Sequence, residues 1–209
     1  MIDFRVCGIA PEPYAVTPIL TARIRITADE PVHAIALRAQ VRIDPRHRQY
    51  TDAEAAALLD LFGPRTRWAD TQRTFLWQHA TALVPGFTGA TEVELPLPCT
   101  YDVEVTASKY LHALSDGTAG LQFLFSGTIF TPGTTGFSVR QISWDREDAY
   151  DLPVATWHQL MATHYAGHGF IRIRHETVAA LVAYKSARGL LSLDDAVTAL
   201  LDTACEEVT

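Results

Sequence analysis

No stretch of this 209-residue sequence is apolar for long enough to cross a membrane. A transmembrane helix needs roughly 20 consecutive, mainly apolar residues, and no run approaches that length. The first residues also lack the basic region followed by a long apolar run that marks a signal peptide. We therefore expect a cytoplasmic protein without a membrane span.

Cysteine and positive charge are also scarce. The three cysteines, Cys7, Cys99 and Cys205, include no C-x-x-C pair, so a disulfide framework is not indicated. The net charge is −7, from 17 Lys and Arg against 24 Asp and Glu. Because a free-standing nucleic-acid-binding protein is usually basic, this balance argues against that class.

The sequence does contain enough apolar side chain to build a core. Hydrophobic residues make up 48% of the chain and charged residues 20%. This mixture is typical of a compact globular protein rather than a disordered chain. The length corresponds to one domain, or to one domain with an appendage.

Alternation of apolar and polar residues runs through most of the first 145 residues. It is clearest in residues 32–43, where every second residue is apolar and shares one face of a strand: Ile35, Leu37, Ala39, Val41 and Ile43. Similar shorter runs predict strands at 4–9, 21–28, 74–84, 91–97, 101–105, 121–130 and 137–144. Pro85-Gly86 and Thr88-Gly89 are typical turn pairs. Short strands separated by such turns predict a mainly antiparallel β-sandwich or barrel-like body.

One helix is predicted within this series of strands. Thr51-Asp52-Ala53-Glu54 has the spacing of a capping box, in which the Thr51 hydroxyl accepts from the Glu54 amide and the Glu54 carboxylate reaches back to the Thr51 amide. An apolar side follows, and Gly63 with Pro64 ends the helix near residue 62.

The composition changes after Trp144. The acidic residues 145–151 are interpreted as a connector, and helical spacing predicts helices at 153–164, 176–187 and from Ser192 onward. The predicted fold class is therefore α+β. A β-rich body covers residues 1–145, with one inserted helix near residues 52–62, and a small helical C-terminal part covers residues 146–209.

No group of residues has the spacing of a standard catalytic, cofactor or metal site. Four histidines lie in the C-terminal part, His158, His164, His168 and His175, but their spacings match no standard zinc site. A reactive Cys99 would need a cationic neighbour or a helix N-terminus, and nothing local supplies either. We expect no catalytic residue, no cofactor and no bound metal.

The strongest candidate site is the segment Arg46–Trp77 around the inserted helix, which is rich in arginine and aromatic residues. Guanidinium groups pair well with the carboxylates of an acidic partner, and Trp, Tyr and Arg are enriched at binding hot spots. We predict a surface for a protein partner made of Arg46, Arg48, Arg65, Arg67, Trp68 and Arg73. The alternative is that the helix caps the β body, with Leu58, Leu61 and Phe62 buried and the aromatics in the core.

Several strings along the chain also carry a resemblance. They are Arg48-Gln49-Tyr50, Leu61-Phe62-Gly63, Arg67-Trp68, Pro85-Gly86-Phe87, Leu97-Pro98-Cys99-Thr100-Tyr101-Asp102, Leu124-Phe125-Ser126-Gly127-Thr128, and Trp144-Asp145 followed by Pro153 and Trp157. Together they resemble a family of uncharacterised actinobacterial proteins of about this length, associated with uptake [NiFe]-hydrogenase gene clusters. The resemblance spans nearly the whole chain and implies an accessory or assembly role. It implies no active-site residues, because these strings are not catalytic signatures.

The favoured function is therefore that of a non-enzymatic accessory or interaction protein. The resemblance implies that its partner is another protein, such as a hydrogenase subunit or maturation factor. Two other classes remain open. One is an enzyme or metal-handling protein that uses the C-terminal histidines or Cys99, and the other is a carrier with a small ligand or lipid in a cavity of the β body. No nucleic-acid partner is expected, and the sequence does not indicate an oligomeric state.

Overall fold

The computed structural model describes residues 1–100, 102, 105–133, 136–169 and 171–207. The chain forms two compact units, Met1–Phe170 and Ile171–Thr209. Within the described residues, the first unit holds six strands: β1 (Ile2–Pro11), β2 (Ile19–Asp44), β3 (Phe75–Pro98), β4 (Thr118–Gly133), β5 (Gly136–Gln141) and β6 (Glu147–Pro153). Its helices are α1 (Asp52–Ala57), α2 (Leu59–Phe62), α3 (Trp68–Thr71), α4 (Thr106–Ala113) and α5 (Val154–Tyr165). The second unit holds α6 (His175–Arg188) and α7 (Leu193–Glu207), and the predicted α+β class is confirmed.

The long strand β2 organises the sheet. All strand pairs are antiparallel, and β3 pairs with β2 along nearly its whole length. On the other side of β2, β1 pairs with its first half and β4 with its second half. Strands β5 and β6 pair with opposite ends of β4.

Strand β2 bends near its middle, and the bend brings both halves of the sheet onto one core. Even-numbered residues such as Ile24 and Ile26 are buried before the bend, and odd-numbered residues such as Ile35 and Leu37 are buried after it. The bend lies between the pairs Ala28–Gly89 and Val32–Phe87. There, β2 contains two more residues than the facing part of β3. Such a bulge bends a strand and changes which side chains face inward.

The two halves of this single six-stranded antiparallel sheet contact each other, which agrees with the predicted sandwich- or barrel-like body. The rings of Phe4 in β1 and Phe125 in β4 stack with their centroids 4.8 Å apart. Both belong to a continuous apolar core that also contains Ile24 and Ile35. The alternating face predicted for residues 32–43 is confirmed, since all five of its apolar side chains are buried.

The structure differs from the sequence analysis at three places. The turns at Pro85-Gly86 and Thr88-Gly89 are wrong, because β3 runs through both and bends there together with β2. The connector at residues 145–151 is also wrong, because most of it forms β6. The third difference is helix α4, which was not predicted. Most of the strand predicted at 101–105, namely residues 101, 103 and 104, lies outside the described residues.

The predicted inserted helix begins where expected but is divided. The capping box is present, with the Glu54 amide 3.2 Å from the Thr51 hydroxyl and the Thr51 amide 2.9 Å from the Glu54 carboxylate. Helix α1 ends at Ala57, and Leu58 separates it from α2. Gly63 terminates α2 with a positive φ. Leu58 and Phe62 are buried and Leu61 is partly buried.

The C-terminal helices lie close to their predicted positions. Helix α5 follows Pro153 and buries Trp157, Leu160 and Met161 in the core of the first unit. In the second unit, α6 ends at a left-handed Gly189, and Ser192 and Asp195 exchange hydrogen bonds at the start of α7. The first compact unit extends to Phe170, while the predicted division into a body and a helical part at residue 145 stays a prediction.

Candidate interaction surface and histidine cavity

The predicted partner segment contains a buried ion pair between Arg48 and Glu54. Their side chains are 9% and 2% exposed, and Arg48 Nη2 lies 2.7 Å from Glu54 Oε1. Arg48 Nη1 also donates to the carbonyl oxygens of Asp116 and Thr118, at 3.0 and 3.2 Å. Arg48 therefore ties this segment to the beginning of β4 and presents little surface to a partner.

Glu54 stays ionised in spite of its burial. Burial alone would raise its pKa, but hydrogen bonds from the amides of Ser115 and Thr51, a bond from the Ser115 hydroxyl and the charge of Arg48 together lower that pKa to about 2. A buried carboxylate with this many donors is a structural anchor, because each partner compensates part of its lost hydration.

An aromatic cluster around Tyr50 lies beside this ion pair. The Tyr50 hydroxyl donates to the Pro45 carbonyl at 2.6 Å and lies 2.8 Å from the Tyr110 hydroxyl. Burial raises the pKa of Tyr50, so its phenol remains neutral. The Trp68 ring packs edge-on against Tyr50 and Phe62, with centroids 5.1 and 6.0 Å apart, and its Nε1 donates to the Gly63 carbonyl at 2.8 Å.

The remaining arginines of the predicted surface lie around this cluster. Arg65 donates to the carbonyls of Tyr50 and Thr51 at 2.8 and 2.6 Å and lies over the Trp68 ring. Arg46 pairs with Asp44 through two nitrogens, and the hydrogen bond from Arg46 is the main reason why the pKa of Asp44 falls to about 2.

Arg67 and Arg73 are exposed, and Arg73 donates to the Asp70 carbonyl at 3.0 Å. The structure thus brings Arg48, Arg65 and Trp68 together around Tyr50 and places the other arginines outside that cluster. A partner-binding role for the six residues stays a prediction.

A second surface lies on the outer face of the sheet, where β5, β4, β2 and β3 run side by side. Cross-strand pairing places Val139, Phe130 and Ala34 in one row, and Ala36 and Leu83 in the next. We define the outer patch as the apolar side chains on this face: Ala34, Ala36, Leu83, Phe130, Phe137 and Val139. Leu83 is 74% exposed, Phe137 65% and Val139 58%. Arg38 is exposed in the following row, so the patch has a cationic neighbour.

A cavity of the first unit lies between α4, α5 and the residues that follow α5. It measures about 490 Å³. Six of its lining side chains are His112, His158, Met161, Ala162, Tyr165 and His168. Burial, followed by the charge of His158, lowers the pKa of His112. We call this the histidine cavity.

Only two of the four histidines singled out in the sequence, His158 and His168, reach this cavity. His164 lies beside Tyr165 on α5 without lining it, and His175 begins α6 in the second unit. Within the described part of the chain, no three His, Cys, Asp or Glu side chains are grouped so that they could hold a metal ion.

The Cys99 thiol lies 3.2 Å from the Leu97 carbonyl, and burial raises its pKa to about 12. A thiol with this pKa is almost entirely protonated at neutral pH and is a poor nucleophile. In the same described residues, no helix is both long and apolar enough to cross a membrane.

Residues 1–209 match the sequence model of DUF6084, a family of unknown function. The chain belongs to the DUF6084 family. A search of curated proteins found no significant match. The family match carries no statement about actinobacteria or hydrogenase gene clusters.

The solved structures that match this DUF6084 protein resemble it only weakly. A late embryogenesis abundant protein is 12% identical with a TM-score of 0.34, and the alignment covers 73% of this chain and 72% of that one. β-Glucosidases from Kluyveromyces marxianus and Paenibacillus barengoltzii are 9% and 11% identical, each with a TM-score of 0.25. The DUF6084 chain spans 15% of each glucosidase. Likenesses this weak carry no argument about function.

Sequence reasoning missed both the outer patch and His112 of this DUF6084 protein. The apolar residues of β5 were predicted as a strand, but the parts of the patch in β3 and β2 lie about 50 and 100 positions earlier in the chain. His112 lies on α4, whose apolar positions 107, 110, 111 and 114 follow the spacing of a helix. That spacing could have predicted α4 from the sequence. No pattern near His112 in the sequence indicates that it lies next to α5.

Proposed function

We propose that this DUF6084 protein is a non-enzymatic accessory protein that binds another protein through the outer patch. The observation that supports the proposal is the exposure of Leu83, Phe137 and Val139 on one face of a hydrogen-bonded sheet. Contiguous exposed apolar side chains on a folded protein are typical of interaction sites, because their burial against a partner is favourable. A sheet surface also binds with little loss of conformational entropy.

The composition of the patch indicates the chemistry of the partner. Its apolar centre suits aliphatic or aromatic side chains, and the exposed Arg38 beside it suits a carboxylate at the edge of the contact. The family resemblance noted in the sequence makes a [NiFe]-hydrogenase subunit or maturation factor the first partner to test. The proposed setting is the cytoplasm.

The proposal is tested by capturing partners from native cells with the tagged protein. Replacing Leu83→Ser and Phe137→Ser together should reduce the yield of a specific partner at least tenfold, since truncated apolar anchors at an interface commonly cost about 2 kcal/mol or more. Thermal unfolding should change little, because both side chains are largely exposed. The matched control is Tyr14→Ser with Val16→Ser, which removes two exposed apolar side chains outside the patch.

The partner surface predicted in the segment Arg46–Trp77 is a competing hypothesis, and the same experiment can test it. Arg67→Ala with Arg73→Ala is the suitable variant, because both side chains are exposed and Arg73 donates to a carbonyl only three residues away. Arg65 and Arg48 instead bond carbonyls more distant in the chain. Loss of the partner in this variant, with full retention in the Leu83 and Phe137 variant, would assign the interface to the arginine segment. Full retention of every partner by the patch variant would overturn the outer patch as the binding surface.

A further inference from the structure

We infer that the histidine cavity binds a small organic anion, with the imidazole side chains of His112, His158 and His168 facing its carboxylate. This inference is independent of the outer patch and adds a ligand site to the proposed interaction role. Among the described lining residues, three carry imidazoles, one carries a phenol and none carries a carboxylate. Imidazole and phenol groups can donate hydrogen bonds to an anion, and no described carboxylate in the lining repels one.

The shape of the cavity favours an organic anion over a bare inorganic one. His158, Met161, Ala162 and Tyr165 lie on one face of α5, at the spacing of successive helical turns. Buried Met161 and the neighbouring Ala162 give this wall an apolar surface, while Gly167 and Gly169 keep part of the rim free of side chains. About 490 Å³ is within the range of roughly 300–1,000 Å³ that is typical of small-molecule sites.

The position of His112 disfavours its protonation in the empty cavity. Burial lowers the pKa of His112, and the nearby charge of His158 lowers it further. Among the described residues, the titratable groups that line the cavity with His112 are His158 and Tyr165 from α5 and His168 from the segment after it. On α4 itself, Lys109 lies one turn earlier and pairs with Asp60 at 2.7 Å. A bound carboxylate would favour the protonated form of His112, so binding should be accompanied by proton uptake.

His168 is held by its own backbone. Its Nδ1 lies 2.8 Å from the Ala166 carbonyl, which can only accept, so Nδ1 carries the proton. This bond fixes the tautomer and restrains the ring at the edge of the cavity.

The test uses benzoate as the anionic probe and benzamide as its neutral analogue. We expect the imidazole C2–H resonances of His112 and His158 to shift on titration with benzoate. The affinity should be about tenfold higher near pH 6 than near pH 8, because the bound carboxylate favours protonation of His112 and protons are more available at the lower pH. Benzamide has the same ring without the charge and should bind weakly, with no dependence on pH.

The variant His112→Gln with His158→Gln should lower benzoate affinity at least tenfold and remove its pH dependence. His79→Gln is the matched control, because His79 is an exposed histidine of β3 outside the cavity. If the double variant unfolds, His158→Gln alone serves, since His158 lies exposed on α5. Thermal unfolding of every variant separates loss of binding from loss of structure.

Three results would overturn the inference. Benzoate and benzamide binding equally at both pH values would remove the role of charge. Unchanged benzoate binding in the double variant would place the ligand elsewhere. Binding of Zn²⁺ that the same double variant abolishes, without any binding of benzoate, would identify the cavity as a metal site instead.

Discussion

At the scale of single residues, the Arg48–Glu54 pair joins the start of the inserted helix to the beginning of β4. Removing one member of a buried ion pair leaves the other charge without compensation, which typically costs about 3–5 kcal/mol. We expect Arg48→Met to lower the free energy of unfolding by about 3 kcal/mol, measured by urea denaturation. Arg23→Met breaks a half-exposed pair with Glu92 and should cost less than about 1 kcal/mol. Equal losses in the two variants would contradict a structural role for Arg48.

The same pair predicts a specific dependence of stability on pH. The pKa of Glu54 lies near 2 in the folded protein, below its ordinary value of 4.5. Because the folded-state pKa is lowered, the stabilisation is complete above about pH 4.5 and is lost as the pH falls towards 2. It amounts to about 3 kcal/mol at most, at 1.36 kcal/mol for each pH unit.

Urea denaturation of the natural protein and of Glu54→Gln checks this dependence. The stability advantage of the natural protein should be largest near neutral pH and should shrink between about pH 4.5 and pH 2, since the side-chain amide of the variant cannot titrate. A stability difference that stays constant across this range would show that Glu54 does not titrate as the geometry indicates.

Local and distant contacts of these residues differ in how well they can be predicted. The capping box could be predicted because Thr51 and Glu54 are three positions apart and the helix itself brings them together. The bonds from Arg48 to Asp116 and Thr118 could not, because they join residues about 70 positions apart. Arginine and tryptophan in a loop are equally typical of a binding surface and of long-range contacts within the protein, such as these bonds of Arg48.

At the scale of elements, the pairing of β2 with β4 depends on a glycine. Gly127 has a φ of +133°, and a Cβ at this position would overlap the carbonyl oxygen of Ala36 in β2. We expect Gly127→Ala to cost about 3 kcal/mol or more, from backbone strain together with overpacking. Gly89→Ala is the control, because Gly89 also has a positive φ but open space around it, and it should cost about 1–2 kcal/mol. Thermal unfolding of both variants measures the difference, and similar losses would show that the backbone contact is unimportant.

The elements also show where sequence patterns succeed. The strand at 32–43 could be predicted because one face is fully buried and the other is polar, which gives a clean period of two. Strand β6 was missed because its exposed acids dominate the composition, although Tyr150 and Leu152 alternate beneath them. Its place in the sheet depends on pairing with β4, and the Asp148 carboxylate accepts from the Val6 amide at 2.6 Å.

The turns in β3 were mispredicted because Gly86 allows the chain to approach β2 closely and does not reverse its direction. A Cβ at Gly86 would lie 2.9 Å from the His33 carbonyl oxygen.

At the scale of the whole molecule, both proposed sites depend on long-range assembly. The outer patch joins residues of β2, β3, β4 and β5, and the histidine cavity joins α4 to α5. Composition and periodicity predict each element separately but not which elements become neighbours. The antiparallel body, its inserted helix and the C-terminal helices could therefore be predicted, while the proposed surface and cavity required the tertiary structure.

The last prediction concerns which part of the chain folds by itself. Helix α5 contributes Trp157, 1% exposed, and Leu160 to the same core as the strands, and β6 completes the pairing of β4. We expect a fragment of residues 1–170 to unfold cooperatively on heating. A fragment of residues 1–145 should not, because loss of a buried Trp and its neighbours removes several kcal/mol from a stability of about 5–15 kcal/mol. Far-UV circular dichroism with thermal melting measures both fragments. A cooperative transition of residues 1–145 at the same temperature as residues 1–170 would instead place the boundary of the folding unit at residue 145.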